Sequence, residues 1–186
     1  MSLSHALLTS LLEKSSSGYD LARRFDKSIG YFWHATHQQI YRELGRMEEA
    51  GWITSEAAPD AGKTRKRIYT VLPQGRDELQ RWVGEPSPMM DFRDELMVRL
   101  RADAAAGPLH LEPELERHIV LHQSTLERYR EIEQRDFPAG AKLTRQMRIH
   151  HMILKKGILY EEISMRWTQD MLAELRQHPG HKQRSR

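Results

Sequence analysis

Along the first part of the chain, apolar residues recur three and four positions apart, the spacing that lines one face of an α-helix. Leu3, Ala6, Leu7 and Leu11 form a first stripe; Leu21, Ala22 and Phe25 form a second. Ser15-Ser16-Ser17-Gly18 interrupts between them. Ser17 is placed to cap the second helix, and Asp20 puts a carboxylate in its first turn, where the helix dipole favours negative charge. A break around Gly30 follows. Thr36-His37-Gln38-Gln39 then has the capping-box form, in which the Thr36 hydroxyl accepts from a first-turn amide while Gln39 reaches back. Ile40, Leu44 and Met47 continue as the buried stripe of a third helix, and Gly51 is suited to the left-handed conformation that ends one.

After Gly51 the period changes. Trp52-Ile53-Thr54-Ser55 and Arg67-Ile68-Tyr69-Thr70-Val71 are β-branched and aromatic, which predicts a two-stranded hairpin with its tip between Ala57 and Lys66. Pro73 can open a fourth helix at its first position, with Leu79, Trp82 and Val83 turned inward. No helix continues through Gly84-Glu85-Pro86-Ser87-Pro88. A boundary there gives domains 1–85 and 86–186.

The second domain reads as helices throughout, broken at Gly107-Pro108 and at Phe137-Pro138-Ala139-Gly140. Phe92, Leu96, Met97 and Leu100 make one stripe. Leu115, Ile119, His122, Leu126 and Tyr129 alternate by four and three, a heptad seam. A last helix from about Leu143 to Arg176 has the stripe Ile149, Met152, Ile153, Leu159, Tyr160, Ile163, Trp167, Met171 and Leu175. It would span roughly 50 Å, more than one small domain covers on one face. A homodimer is the expected solution. The tail after Pro179 has little apolar content and is expected to fray. The fold class is mainly α: a winged helix-turn-helix N-terminal domain plus an all-α C-terminal dimerisation domain.

Composition narrows the functions. The 186 residues include no cysteine, which excludes a disulfide scaffold, a cysteine nucleophile and a thiolate metal site. No apolar run approaches the ~18 residues of a membrane span. The start MSLSHALLTSLLEK has no Lys or Arg ahead of its apolar stretch, so export is not expected and the chain reads as cytoplasmic. The net charge is only +3, so any basic footprint must be local. Lys63, Arg65, Lys66 and Arg67 supply one at the hairpin, with no acid between them.

Helix, helix, capped helix and hairpin, in that order, place one helix for the DNA major groove and a basic wing for phosphates. The third helix would expose His37, Gln38, Tyr41, Arg42 and Gly45; Gln pairs bidentately with adenine, and Arg with guanine or phosphate. Other chemistry finds little support. His118 and His122 are four apart, but His118 is followed by Ile119 where a zinc peptidase has its Glu, so no metal is assigned. No phosphate-binding Gly-rich loop and no Gly-x-Ser-x-Gly is present, so neither a cofactor nor an enzyme activity is expected. Trp82, Tyr160 and Trp167 suit core or interface better than an effector pocket. A protein-interaction module on a winged-helix scaffold that does not read DNA is the alternative.

Ser17-Gly18-Tyr19-Asp20-Leu21, Trp33, Gln39-Ile40-Tyr41-Arg42-Glu43-Leu44 and Met47 through Ile53 resemble the PadR family of bacterial transcriptional regulators. So do Arg67-Ile68-Tyr69, Gly75-Arg76-Asp77-Glu78-Leu79 and, more loosely, Asp94-Glu95-Leu96, Gly157 and Trp167, as in the longer members. The resemblance implies a homodimer that binds operator DNA, usually as a repressor, with C-terminal helices packed against the partner's N-terminal domain. A small-molecule effector of unnamed identity is a further partner it allows. The expected DNA-contacting set is Tyr19, His37, Gln38, Gln39, Tyr41, Arg42, Lys63, Arg65, Lys66 and Arg67. The expected dimer interface is Leu7, Leu11, Leu159, Tyr160, Ile163, Trp167 and Met171. One departure stands out: many members cap the helix at Pro73 with Thr or Ser, and this chain has Leu72.

Overall fold

The computed structural model describes residues 3–26, 33, 35–58, 66–87, 89 and 93–178. Lys63, Arg65, Gly30, His34, Phe92 and the tail after Pro179 lie outside the described residues. The chain divides into two compact units, Met1–Met90 and Asp91–Arg186, just beyond the proline-rich segment.

The first unit runs α1 (Leu3–Glu13), β1 (Ser16–Ser17), α2 (Gly18–Asp26), α3 (His37–Glu49), β2 (Ile53–Ala57), β3 (Arg67–Val71) and α4 (Pro73–Val83). The three helical stripes converge on one core. Leu7, Leu8, Leu11, Leu21, Ala22, Phe25, Ile40, Leu44 and Met47 are all buried, and Ile53 and Val71 close it from the hairpin. Leu7 and Leu11, expected at the dimer interface, are therefore not available to a partner: their exposures are 0% and 2% within a single chain. Removing such a leucine would cost about 2–5 kcal/mol. Val83, expected to face inward, is exposed, whereas Leu79 packs on the core.

The sheet has three strands in the order β1-β3-β2, all antiparallel. The hairpin pairs Ile53 with Val71 and Ala57 with Arg67. The unexpected strand is β1, where Ser16 and Ser17 pair with Tyr69 and Ile68. α4 starts at Pro73 with Leu72 as an N-cap that makes no side-chain bond. Its first turn lies so close to the hairpin that a Cβ on Gly75 would sit 2.3 Å from the Trp52 carbonyl oxygen. His5 of α1 meets this helix, stacking on Trp82 at 4.5 Å and bonding Glu78 at 2.9 Å.

The second unit contains α5 (Glu95–Ala106), α6 (Glu112–Asp136) and α7 (Arg145–Gln177). Thr144 caps α7 by accepting from the Met147 amide. α6 and α7 form an antiparallel hairpin, with Glu116 bonded to Arg176 at one end and Glu133 to His151 at the other. The heptad seam of α6 faces α7. Leu115, Leu126 and Tyr129 are buried, and His122 Nδ1 lies 2.6 Å from a Glu161 carboxylate oxygen. Gly157 makes room for the seam: a Cβ there would stand 2.9 Å from the Tyr129 ring. Leu96 of α5 packs with Leu115 and Leu172.

The long stripe of α7 divides. Its inner face is Ile158, Glu161, Thr168 and Leu172. Met171 and Leu175 pack at the Leu96–Leu115–Leu172 cluster, which removes Met171 from a continuous outer row. Ile149, Met152, Ile153, Leu159, Tyr160, Ile163 and Trp167 are exposed. Among the described residues, no helix is long and apolar enough to cross a membrane.

Candidate nucleic-acid interface

In the first unit α3 presents an exposed face, and local chemistry fixes both ends of it. At the start, the Thr36 hydroxyl accepts from the Gln39 backbone N–H at 3.2 Å, and the Gln39 side-chain Oε1 accepts from the Thr36 backbone N–H at 2.8 Å. At the end, Gly51 takes a φ of +70°. Trp52 N–H bonds the Met47 carbonyl and Gly51 N–H the Glu48 carbonyl, at 2.9 and 3.0 Å. These are the two bonds of a Schellman closure. The inner face is held by Ile40, Leu44 and Met47.

The outer face carries His37, Gln38, Gln39, Tyr41, Arg42 and Gly45, all exposed. These residues are not equivalent. Gln39 is committed by its side-chain Oε1 to the capping box, so its role begins as a structural one. His37 Nε2 lies 2.9 Å from Asp26 and ties the start of α3 to the end of α2. Tyr41 is half exposed, and its ring occupies the space above Gly18, where a Cβ would meet it at 2.5 Å. Gln38 and Arg42, one turn apart, make no side-chain hydrogen bond or ion pair among the described residues. Among the described residues, both are left free for a ligand. Tyr19 of α2 is 57% exposed, with the Arg23 guanidinium 5.6 Å above its ring.

At the base of the wing the picture of unopposed positive charge needs correction. Lys66 Nζ lies 3.1 Å from Asp20. Arg67 is drawn back into the scaffold: its Nε donates to Ser55 Oγ at 2.6 Å and its Nη2 to the Ser55 carbonyl at 2.9 Å, with Glu48 at 3.5 Å. Ser55 Oγ in turn donates to Glu48 at 2.5 Å. Arg67 thus braces β3, β2 and α3 to one another, which removes it from a freely projecting basic tip. Burial, with Glu48 nearby, raises the Tyr69 phenol above its usual range, so it stays neutral beside this network.

Sequence reasoning also missed Arg24. Its guanidinium donates to Ser16 Oγ at 2.6 Å and to the Ser10 and Lys14 carbonyls at 2.5 and 2.8 Å. It closes the C-terminal end of α1 onto β1, where free carbonyls need donors. No local motif announces this, because the partners lie a helix away. For Asp20 the sequence shows only a place in the first turn of α2. The Ser17 hydroxyl, which donates to it at 2.7 Å, is the main reason its carboxyl is held below the ordinary range; Lys66 adds to this.

In the second unit, Leu159, Tyr160, Ile163 and Trp167 stand together on the outer face of α7, between 39% and 66% exposed. Among the described residues no group of three or more His, Asp or Glu is placed to hold a metal ion. His118 and His122 each face a carboxylate instead, Glu114 and Glu161.

Comparison with known proteins agrees with this arrangement. Residues 7–81 match the model of the transcriptional regulator PadR-like family, and residues 92–176 match virulence activator alpha C-term. The Mycobacterium tuberculosis protein named "Probable transcriptional regulator Rv1176c" is 37% identical over 187 residues, covering 95% of this chain and 99% of its own. The Vibrio cholerae virulence activator AphA superposes with a TM-score of 0.79 at 31% identity, over 95% of this chain and 99% of that one. Bacillus subtilis PadR in complex with operator DNA gives a TM-score of 0.82 at 24% identity, over 92% and 97% of the two chains. The same protein with p-coumaric acid gives 0.75 at 24% identity, over 93% and 98%. The chain belongs to the PadR-like family of transcriptional regulators, DNA-binding proteins and not enzymes.

Proposed function

We propose that this regulator acts in the cytoplasm as a homodimer that represses transcription by occupying a pseudo-palindromic operator. The observation that carries the reading is the free Gln38–Arg42 face on a helix capped at both ends. Such a helix enters a major groove with little ordering left to lose. Gln38, Tyr41 and Arg42 contact base edges, Tyr19 and His37 flank them, and Lys63, Arg65 and Lys66 serve the wing. The first unit is the DNA-binding domain and the second the dimerisation domain.

The outer row of α7 supplies the dimer contact. Seven large apolar side chains exposed along one helix form a patch of the kind that subunit association covers. Two-fold symmetry would set two copies of α3 one DNA turn apart, roughly 34–36 Å. A small-molecule effector would act by changing the angle between the two reading heads, so that both no longer fit at once. The solved complex of Bacillus subtilis PadR with p-coumaric acid makes an aromatic acid the first class to screen.

A gel-shift titration against the chain's own upstream region tests the reading. Binding by a dimer, lost on Arg42→Ala, supports it. Absence of binding, or binding indifferent to Arg42, refutes it and leaves a protein-interaction module on the same scaffold.

A further inference from the structure

The cations near the exposed face of α3 differ in what they already hold. Arg42 has no ion pair among the described residues. Arg46 faces Glu43 at 3.5 Å. Arg67 is built into the Ser55–Glu48 network. Lys66 is the intermediate case. Among the described residues it pairs with a single carboxylate, Asp20, at 3.1 Å, and neither member is buried: the side chains are 47% and 49% exposed.

Asp20 is held in place for this contact. Its Oδ2 receives the Ser17 hydroxyl at 2.7 Å as well as the Lys66 ammonium, and its amide donates to Ser17 Oγ at 3.1 Å. An anionic oxygen is thereby presented to Lys66 by α2, an element that does not belong to the wing. A DNA phosphate oxygen would take the same position at the ammonium, at the distance of a charge-assisted hydrogen bond. The two anions cannot both have the ammonium to themselves.

We propose that Asp20 is a built-in competitor of DNA phosphate for Lys66, lowering affinity for DNA of any sequence and leaving discrimination to the base contacts of α3. This rests on the DNA-binding reading above. Two consequences follow from electrostatics. A phosphate contact carries no sequence information, so releasing Lys66 should strengthen operator and unrelated DNA by the same factor. A lysine neutralised from within the protein also adds little net positive charge at the phosphate, and the number of ions released on binding falls accordingly.

The test uses the full chain with Asp20→Asn, Lys66→Met and the double variant. Binding is measured by fluorescence anisotropy across a salt series, with two labelled duplexes: the chain's own upstream region and one of mixed sequence. Asn keeps an acceptor for the Ser17 hydroxyl, and a thermal melt of each variant confirms folding. Asp20→Asn should tighten both duplexes by about two- to five-fold at low salt, the range a half-exposed ion pair is worth. It should also steepen the log–log salt dependence by up to about 0.9. In the Lys66→Met background the same change should do nothing. An equal gain in both backgrounds would overturn the proposal, showing plain repulsion between Asp20 and DNA. So would an unchanged Asp20→Asn in a chain that binds normally. If the parent chain binds neither duplex, the DNA-binding reading falls first and this inference with it.

Discussion

Ile163→Ser is the sharpest test of the dimer assigned to α7. Ile163 is 66% exposed in the single chain, so about two-thirds of its side chain remains for a partner to cover. Full burial of an isoleucine side chain is worth about 1.5–3 kcal/mol, so the share left to the interface is about 1–2 kcal/mol. A two-fold interface contains the residue twice. The expected loss is therefore about 2–4 kcal/mol, or roughly 30- to 1,000-fold in the dimer dissociation constant. Sedimentation equilibrium over a concentration series reads this directly. The monomer itself should be untouched, because Ile163 belongs to none of the buried clusters. Leu172→Ala is the contrasting case: Leu172 is 7% exposed within the second unit, and its loss should cost about 2–5 kcal/mol in a urea melt of each subunit. A dimer of Ile163→Ser as tight as the parent's would refute the assignment of the interface to this row.

Arg42→Ala should cost about 1–3 kcal/mol of binding to the preferred sequence, with a smaller effect on mixed-sequence DNA, in anisotropy titrations of the two duplexes. Arg67→Met should behave oppositely: a loss of about 1 kcal/mol in chemical denaturation, from its bonds to Ser55, with the salt dependence of DNA binding unchanged. Glu78 is held down to about 2 by the Arg81 guanidinium first and His5 second. Its folded value lies below the unfolded one of 4.5, so its stabilisation is full above that pH and disappears as the pH falls toward about 2. Urea melts of Glu78→Gln across this window should show a flatter decline than the parent, and parallel declines would contradict the linkage. Gly45→Ala should raise stability by about 1 kcal/mol, since a Cβ there meets nothing within 4 Å and alanine is the better helix former.

What the sequence revealed was local. The capping box at Thr36, the left-handed Gly51 and the opening of α4 at Pro73 are each set by a few adjacent residues, and all three appear as expected. The seam of α6 was legible because its apolar spacing is regular. α7 was half legible. Its apolar stripe was visible, but periodicity says only that residues share a face, not what covers it. The inner face is marked by Gly157 and Glu161, whose fit depends on Tyr129 and His122 of another helix. Leu7 and Leu11 failed in the opposite direction: they belong to the core of their own unit. β1 was invisible because two serines carry no strand signature and are recruited by the edge of β3. The pairing of Lys66 with Asp20 and of Arg67 with Ser55 was hidden for the same reason, since only the fold brings those residues together.

The polar groups around α3 therefore divide into those that build the helix's setting and those left for a ligand. Gln39 fastens its start, His37 joins it to Asp26, Glu48 and Arg67 join its end to the hairpin, and Arg24 locks α1 behind β1. Each bond engages a side chain with the scaffold before any DNA arrives. Each also fixes the orientation of those that remain. A long flexible arginine loses rotamer freedom whenever it makes a contact, and a mobile helix beneath it would add a second ordering cost. With α3 held at both ends, only the first cost remains at binding. In the function proposed above, base discrimination then depends on Gln38, Tyr41 and Arg42 meeting the groove from a fixed position. A cap mutation such as Thr36→Ala should consequently weaken recognition of a preferred sequence although Thr36 itself reads no base.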